Sequence, residues 1–422
     1  MITYDIIIIG AGAAGMMAAI SSAREGMKVL VLEKMERPGR KILITGKGRC
    51  NITNTREWEE FSRHIFPKPN FFKFAFKSFS NFNLLRFLNE IGLETVIERG
   101  ERAYPLSGKS QDVVRTLVKE IESLGVDISY NSKATKLLTK DLKVTGLLYE
   151  KDGVLNEVFS KAVIISTGGL SYPLTGSDGD GYIFAESMGI KTIKRLPSLT
   201  ALMPLNFNIS LKGLILKNIS VKLIVGKDLL QEEFGDAEFT NNGFEGPVGL
   251  RVSRKAVKAI SDGNRVLIDI DLKPALTRDQ LISRIEREFG QQDKIYLETL
   301  LRRLLPAQLV NIFIDYIGFG KTKILSKKLP GEIYKISDFL KSWKLEIISY
   351  TGFERCVITT GGVSLDEILP KTLATRKINN LFFAGEVLDL DGDTGGYNLQ
   401  IGFSTGYVAG KSAAEIVKKN FT

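Results

Sequence analysis

The string Gly10-Ala11-Gly12-Ala13-Ala14-Gly15 constrains this 422-residue chain more than any other. It follows the continuous apolar run Ile6 to Ile9, which suits a parallel strand buried on both faces. It opens a segment of small, helix-favouring residues that Gly26 brings to a stop, and MKVLVLEK then supplies a second strand. In that strand–turn–helix context the glycines allow a tight turn, a close backbone approach to a pyrophosphate and close helix–strand packing, while the helix N-terminus offers free amides to phosphates. Glu33 ends the second strand about 20 residues on, where an acid can accept both hydroxyls of an adenosine ribose and disfavours a 2′-phosphate. The chain should therefore begin with a dinucleotide-binding βαβ unit that does not take NADP.

Residues 6–23 are uncharged and imitate a membrane signal, yet Asp5 precedes them in place of a basic flank, and their second half is Gly, Ala and Ser. Large apolar side chains are what spanning needs, so we expect no membrane segment. With only two cysteines, Cys50 and Cys356, and one histidine, His64, a zinc ribbon, a Cys-x-x-Cys redox pair and a His-rich metal site are excluded. A Ser-His-Asp triad is also disfavoured, because His64 lies in a Phe-rich stretch with no nucleophile motif around it. Few cysteines and no secretory signal point to the reducing cytoplasm.

Along the chain, residues 82–125 read as two amphipathic helices around a turn, residues 133–160 as a hairpin-like region, and KAVIISTGG as another buried strand. The character changes near residue 191. Residues 191–355 hold 27 Lys+Arg against 19 Asp+Glu, a net +8, and alternate apolar with polar residues before turning helical in TRDQLISRIEREFG and YLETLLRRLLPAQLVNIFIDYIG. After Cys356 the buried-strand and glycine style returns in VITTGGV and NLFFAGEV. This organisation implies one α/β domain built from residues 1–190 and 356–422, interrupted by a mixed β and helical insertion over 191–355.

Further strand-plus-glycine turns recur at Ser166-Thr167-Gly168-Gly169 and at Ala384-Gly385-Glu386. A nicotinamide dehydrogenase usually needs one such fingerprint, whereas an extended FAD can be threaded past several, so FAD is the cofactor we expect. Arg40 and Lys41 follow the ribose-binding strand, where cations can meet a pyrophosphate. The turn Thr45-Gly46-Lys47-Gly48, with Arg49, Cys50, Asn51 and Thr53 after it, can bring backbone and hydrogen-bonding groups to a flat ring. At the other end, Gly395-Gly396 opens a C-terminal helix through Tyr397, Asn398, Leu399 and Gln400. Its amides would face the flavin N1 and C2 carbonyl, where negative charge gathers on reduction.

Taken together, IIIGAGAAG, GRKILITGKGRCNITN, RAYPLSGKSQDVV, STGGLSYPLTGSDGDGY, TTGGVSLDEI and LFFAGEVLDLDGDTGGYNLQ resemble the bacterial flavoprotein family labelled aminoacetone-oxidase-like or NAD(P)/FAD-dependent oxidoreductase, which includes a bile-acid-pathway flavin reductase. The resemblance runs nearly end to end. It implies an α/β fold: a Rossmann-like FAD domain of the two-dinucleotide-binding-domain type, with an inserted β-barrel and a small helical part. It also implies FAD contacts at Gly12, Ala14, Glu33, Lys34, Arg40, Lys41, Gly46, Arg49, Cys50, Asn51, Gly168, Gly385, Glu386, Gly396, Tyr397, Asn398 and Gln400. The sequence departs from the family at Lys47, where many relatives have Gly or Asn, and at Gly402, where Ala is expected.

The resulting expectation is an FAD-dependent oxidoreductase moving hydride between flavin and a small organic substrate, with NAD(P)H as candidate donor. Arg102, Tyr104, Tyr172 and Asp178 are candidate substrate-side residues, since they sit in polar, glycine-flanked blocks. Two other readings stay open. One is a flavoprotein acting on nucleic acid, suggested by the basic insertion, although +8 over 165 residues is no concentrated stripe. The other is a redox sensor in which Cys50 responds to oxidation.

Overall fold

Ile6, Ile7 and Ile8 are fully buried because strand β1, Thr3–Ile9, lies inside a sheet with a neighbour on each side. It pairs in parallel with β2, Val29–Leu32, and with the strand Val154–Ile165, which in turn pairs in parallel with Leu381–Phe383. The register sets Ile9 level with Leu32 and Ile165, and Ile165 level with Phe383. The carboxyl ends of all four strands therefore finish together, which gathers the loops after residues 9, 32, 165 and 383 along one edge of the sheet. In open α/β sheets that edge is where ligands bind.

This computed structural model describes residues 3–320 and 322–421. The chain forms two compact units, residues 1–197 with 353–422, and residues 198–352. In the first, helix α1, Ala13–Arg24, connects β1 to β2 and is covered by the C-terminal helix Tyr397–Phe421. The strand Thr192–Ser198 pairs with Ile358–Val363, which explains why this unit extends a few residues beyond the change in composition at 191.

Two elements differ from the sequence reading. VLNEVF and KAVII, with Ser160 between them, form one twelve-residue strand, Val154–Ile165: its exposed first half pairs antiparallel with Lys143–Lys151, and its buried second half enters the parallel sheet. Between the helices Asn81–Glu90 and Ser110–Ser123 the expected turn contains a hairpin, Thr95–Glu98 with Arg102–Pro105. Its second strand pairs with Thr53–Asn54. That partner lies about fifty residues upstream, so no local periodicity announces it.

The second unit holds a closed barrel of six strands, in the order Leu202–Pro204, Gly243–Glu245, Asp228–Thr240, Ile215–Val225, Val266–Asp271 and Trp343–Tyr350. Alternating burial along Val266–Asp271 fits a barrel wall with one dry face, and Phe239, Phe244 and Trp343 pack in its core. The α-helices of this unit among the described residues are Gly246–Ser261, Arg278–Glu288, Leu297–Leu304, Ala307–Ile317 and Pro330–Lys341, with Pro306 separating Leu297–Leu304 from Ala307–Ile317. Among the described residues no helix is long and apolar enough to cross a membrane.

Candidate functional site

The site begins at the turn between β1 and α1. Gly12 caps α1 with no side-chain hydrogen bond, and a Cβ placed on it would meet nothing within 4 Å, so open space lies beside the helix N-terminus. Gly15 sits where a Cβ would come within 1.8 Å of the Gly10 carbonyl oxygen, and Ser166 Oγ donates to the carbonyls of Ile9 and Gly10 at 2.9 and 3.1 Å. The turn is thereby locked to the strand beside it.

Glu33 completes this end. Its Oε2 accepts from the Ala11 amide at 2.8 Å and its Oε1 from the Met35 amide at 2.9 Å. Burial pushes its carboxyl above the ordinary value, while those two amides and the nearby Lys34 and Arg40 pull the other way. An anchored acid beside an uncapped helix N-terminus and open space fits the ribose and pyrophosphate of a dinucleotide. The residues present thus fit FAD on their own geometry.

Several cations have other partners than a pyrophosphate. Lys34 Nζ pairs with Asp178 and, at 2.8 Å, with Asp180. Arg40 pairs with Glu36 at 2.7 Å. Lys41 Nζ pairs with Glu386 at 2.7 Å and donates to Ser171 Oγ at 2.9 Å, while Ser171 Oγ and the Thr359 amide donate to the other Glu386 oxygen at 2.6 and 3.0 Å. Lys41 and Glu386 therefore strap three loops together. Gly169 lies under this strap, 2.7 Å from Glu386 Oε1 by its virtual Cβ, and Gly168 adopts φ +76°. Thr167 Oγ1 is buried and has no hydrogen-bond partner among the described residues.

The loop after β2 has the backbone its glycines suggest: Gly46, Lys47, Gly48 and Cys50 all have positive φ, between 57° and 85°. Lys47 is thus held in the left-handed region that Gly or Asn adopts more easily. Arg49 pairs with Glu98 and lies 4.4 Å over the Tyr104 ring. Cys50 is completely buried, and burial pushes its thiol up to about 12. We expect neither Cys50 nor the equally buried Cys356 to react with a thiol reagent at pH 8 until urea unfolds the chain, when both should. Fast native labelling of one thiol would restore the redox-sensor reading.

At the opposite end, Gly395 and Gly396 have φ of 123° and 99° and lead into Tyr397. With the Asn51 amide turned to suit its neighbours, its oxygen accepts from the Gly396 amide and its nitrogen donates to the Thr53 carbonyl, both at 3.1 Å. Asn398 is engaged with the Gly392 backbone through both amide atoms at 2.7 Å. Gln400 is completely buried; it accepts from Thr53 Oγ1 at 2.6 Å and donates to Ser404 Oγ and to the Phe79 carbonyl. These two side chains hold the helix to its neighbours, and Leu399 packs against the core. Gly385 donates its amide to Thr405 Oγ1 at 2.9 Å and approaches Ala14.

The substrate-side candidates separate. Arg102 lies beside Gly395, its Nε 3.7 Å from that residue's virtual Cβ, and among the described residues it has no carboxylate partner. Tyr104 is nearby on the same strand, beneath Arg49. Asp178 is tied to Lys34 at the end of β2, and Tyr172 has φ 52° with its amide donating to the Phe353 carbonyl at 2.9 Å. Sequence reasoning missed His64, whose Nδ1 is 2.9 Å from Asp393, because a lone histidine among phenylalanines carries no spacing signal.

Residues 4–412 match the model of the HI0933-like protein Rossmann domain family. The chain belongs to this family. FAD is its cofactor, and it is an oxidoreductase of the flavoprotein type. It is 30% identical over 410 residues to the 3-dehydro-bile acid delta(4,6)-reductase of Clostridium scindens, covering 97% of this chain and 98% of that one. It is 29% identical over 409 residues to the ribosomal RNA dihydrouridine synthase of Haemophilus influenzae, covering 96% and 97%. The fold is shared with the 3-ketosteroid delta1-dehydrogenase of Sterolibacterium denitrificans at a TM-score of 0.55 and 13% identity, over 99% of this chain and 100% of that one.

Proposed function

We propose that this HI0933-like protein is an FAD-dependent reductase that saturates a carbon–carbon double bond conjugated to a carbonyl in a small organic molecule, with a reduced nicotinamide as electron donor. The observation that carries the reading is the near full-length match to two relatives whose names share one chemistry. A 3-dehydro delta(4,6) steroid and a uridine both present a ring C=C in conjugation with C=O, and both names denote its reduction. Their substrates otherwise differ completely, so the bond transfers more safely than either molecule.

Bound FAD supplies the two-electron hydride chemistry that no side chain here provides. The chain's own work is to hold and to polarise. The α1 amides near Gly12 would take the pyrophosphate, Glu33 the ribose, and the Gly395–Gly396 turn the pyrimidine end of the ring. Arg102, which lies beside that turn and has no carboxylate partner among the described residues, would bind a substrate carbonyl oxygen in this reading.

A second reading has its own support: the basic insertion, net +8 over 191–355, suits the same reduction carried out on a nucleobase in RNA. One anaerobic experiment addresses both. The purified holoenzyme should show a flavin spectrum that bleaches with NADH or NADPH, and an added conjugated enone should restore the oxidised spectrum. Restoration by a uridine-containing RNA alone would favour the second reading; no bleaching by either nucleotide would remove the nicotinamide donor.

A further inference from the structure

The only histidine of the chain sits in a hydrogen-bonded cluster that the proposed reaction does not use. Arg56 Nη1 lies 2.9 Å from His64 Nε2, nearer than Glu60 Oε1 at 3.6 Å, and a guanidinium has no acceptor, so this contact is a hydrogen bond when Nε2 carries the lone pair. The ring proton is then on Nδ1, which donates to Asp393 Oδ2 at 2.9 Å. Arg56 is itself held by Glu60 at 3.0 Å and Glu101 at 2.8 Å, which fixes the side from which it meets the ring. The imidazole also stacks on Tyr397 at 4.5 Å between centroids.

All these bonds converge on one short turn. The Asp393 amide donates to the His64 carbonyl at 3.0 Å, and the bridge of Ile65 and Phe66 with Gly392 and Asp391 continues from it. Asp393 is thus gripped by backbone and side chain of the same residue, two positions before the left-handed Gly395 and Gly396. A turn with two consecutive glycines has the widest choice of backbone conformations, and fixing one of them needs a contact from outside.

We propose that His64, held in its Nδ1–H tautomer by Arg56, is the positioning residue that fixes the Asp393–Gly396 turn for FAD. The proposal rests on the reading that the pyrimidine end of FAD lies against this turn. Asparagine and glutamine separate the two halves of the ring, since an Asn amide can donate from the place of Nδ1 while a Gln oxygen reaches the place of Nε2. His64→Asn should therefore bind FAD within threefold of the parent, and His64→Gln and His64→Ala about tenfold more weakly. Because the turn's amides would stabilise the negative charge that appears on reduction, the reduced form should lose affinity further in these variants. A tenfold bias against it would appear as a two-electron midpoint lowered by about 30 mV.

Asp393→Ala approaches the same bond from the other side, and the His64→Ala, Asp393→Ala double variant should be no worse than either single one. The readouts are the FAD dissociation constant from flavin fluorescence, the midpoint potential, and urea unfolding of the apoproteins, which should change little. Parent affinity and potential in His64→Ala, an Asn variant as poor as the Ala variant, or additive losses in the double variant would each overturn the proposal. If the parent itself takes up no FAD, the functional reading fails instead.

Discussion

Glu33→Gln is expected to lose FAD affinity by roughly 10- to 100-fold, the worth of one or two hydrogen bonds to a charged acceptor. The carboxylate is pinned by the Ala11 and Met35 amides, so its remaining lone pairs face the position expected for the ribose hydroxyls. A carboxamide would turn an NH2 group toward one of those amides and offer one acceptor in place of two. Stability should move far less. Burial raises the Glu33 carboxyl above its unfolded value, so its contribution is present below the unfolded pKa and is lost as the pH rises through the folded one. Burial makes the ionised form of this group costly, a cost that glutamine removes, against the one amide bond it breaks. The variant apoprotein should melt within a few degrees of the parent, and loss of FAD could then not be assigned to unfolding. An unchanged FAD dissociation constant would show that Glu33 is a structural acid only.

Gly406→Ala is expected to destabilise the apoprotein by about 3 kcal/mol, the upper end of what overpacking costs. The C-terminal helix crosses α1 with Gly402, Gly406 and Gly410 toward it, and a Cβ at 406 would stand 2.2 Å from the Ala14 carbonyl oxygen and 2.9 Å from Ala14 Cα. Those are backbone atoms of the helix that carries the Gly12 cap, so relief would have to displace the cofactor turn. Four residues earlier the sign reverses. At Gly402 the same Cβ would lie 3.4 Å from Ala13 Cβ, an ordinary contact, and alanine gains about 1 kcal/mol of helix propensity. Urea unfolding of the two apoproteins should therefore move in opposite directions. A Gly406→Ala protein as stable as the parent would mean that the two helices can separate at little cost.

The first strand, the glycine turn, helix α1 and Glu33 were legible in the sequence because each depends on residues adjacent in the chain: a buried apolar run, positive-φ turns, an uncapped helix start and an acid at a fixed distance. The two returns to strand-and-glycine style were legible for the same reason, and with them the fold class, the insertion and FAD. What only the tertiary structure decided are pairings between groups far apart in sequence. Lys41 meets Glu386 across 345 residues, Lys34 meets Asp178, and His64 meets Asp393. Arg102, by contrast, meets no acid among the described residues. A charge in the sequence announces that it needs a partner or solvent, but which it finds depends on the path of the whole chain. That is why a candidate cofactor site could be read from local patterns, while which of its side chains hold one another could not.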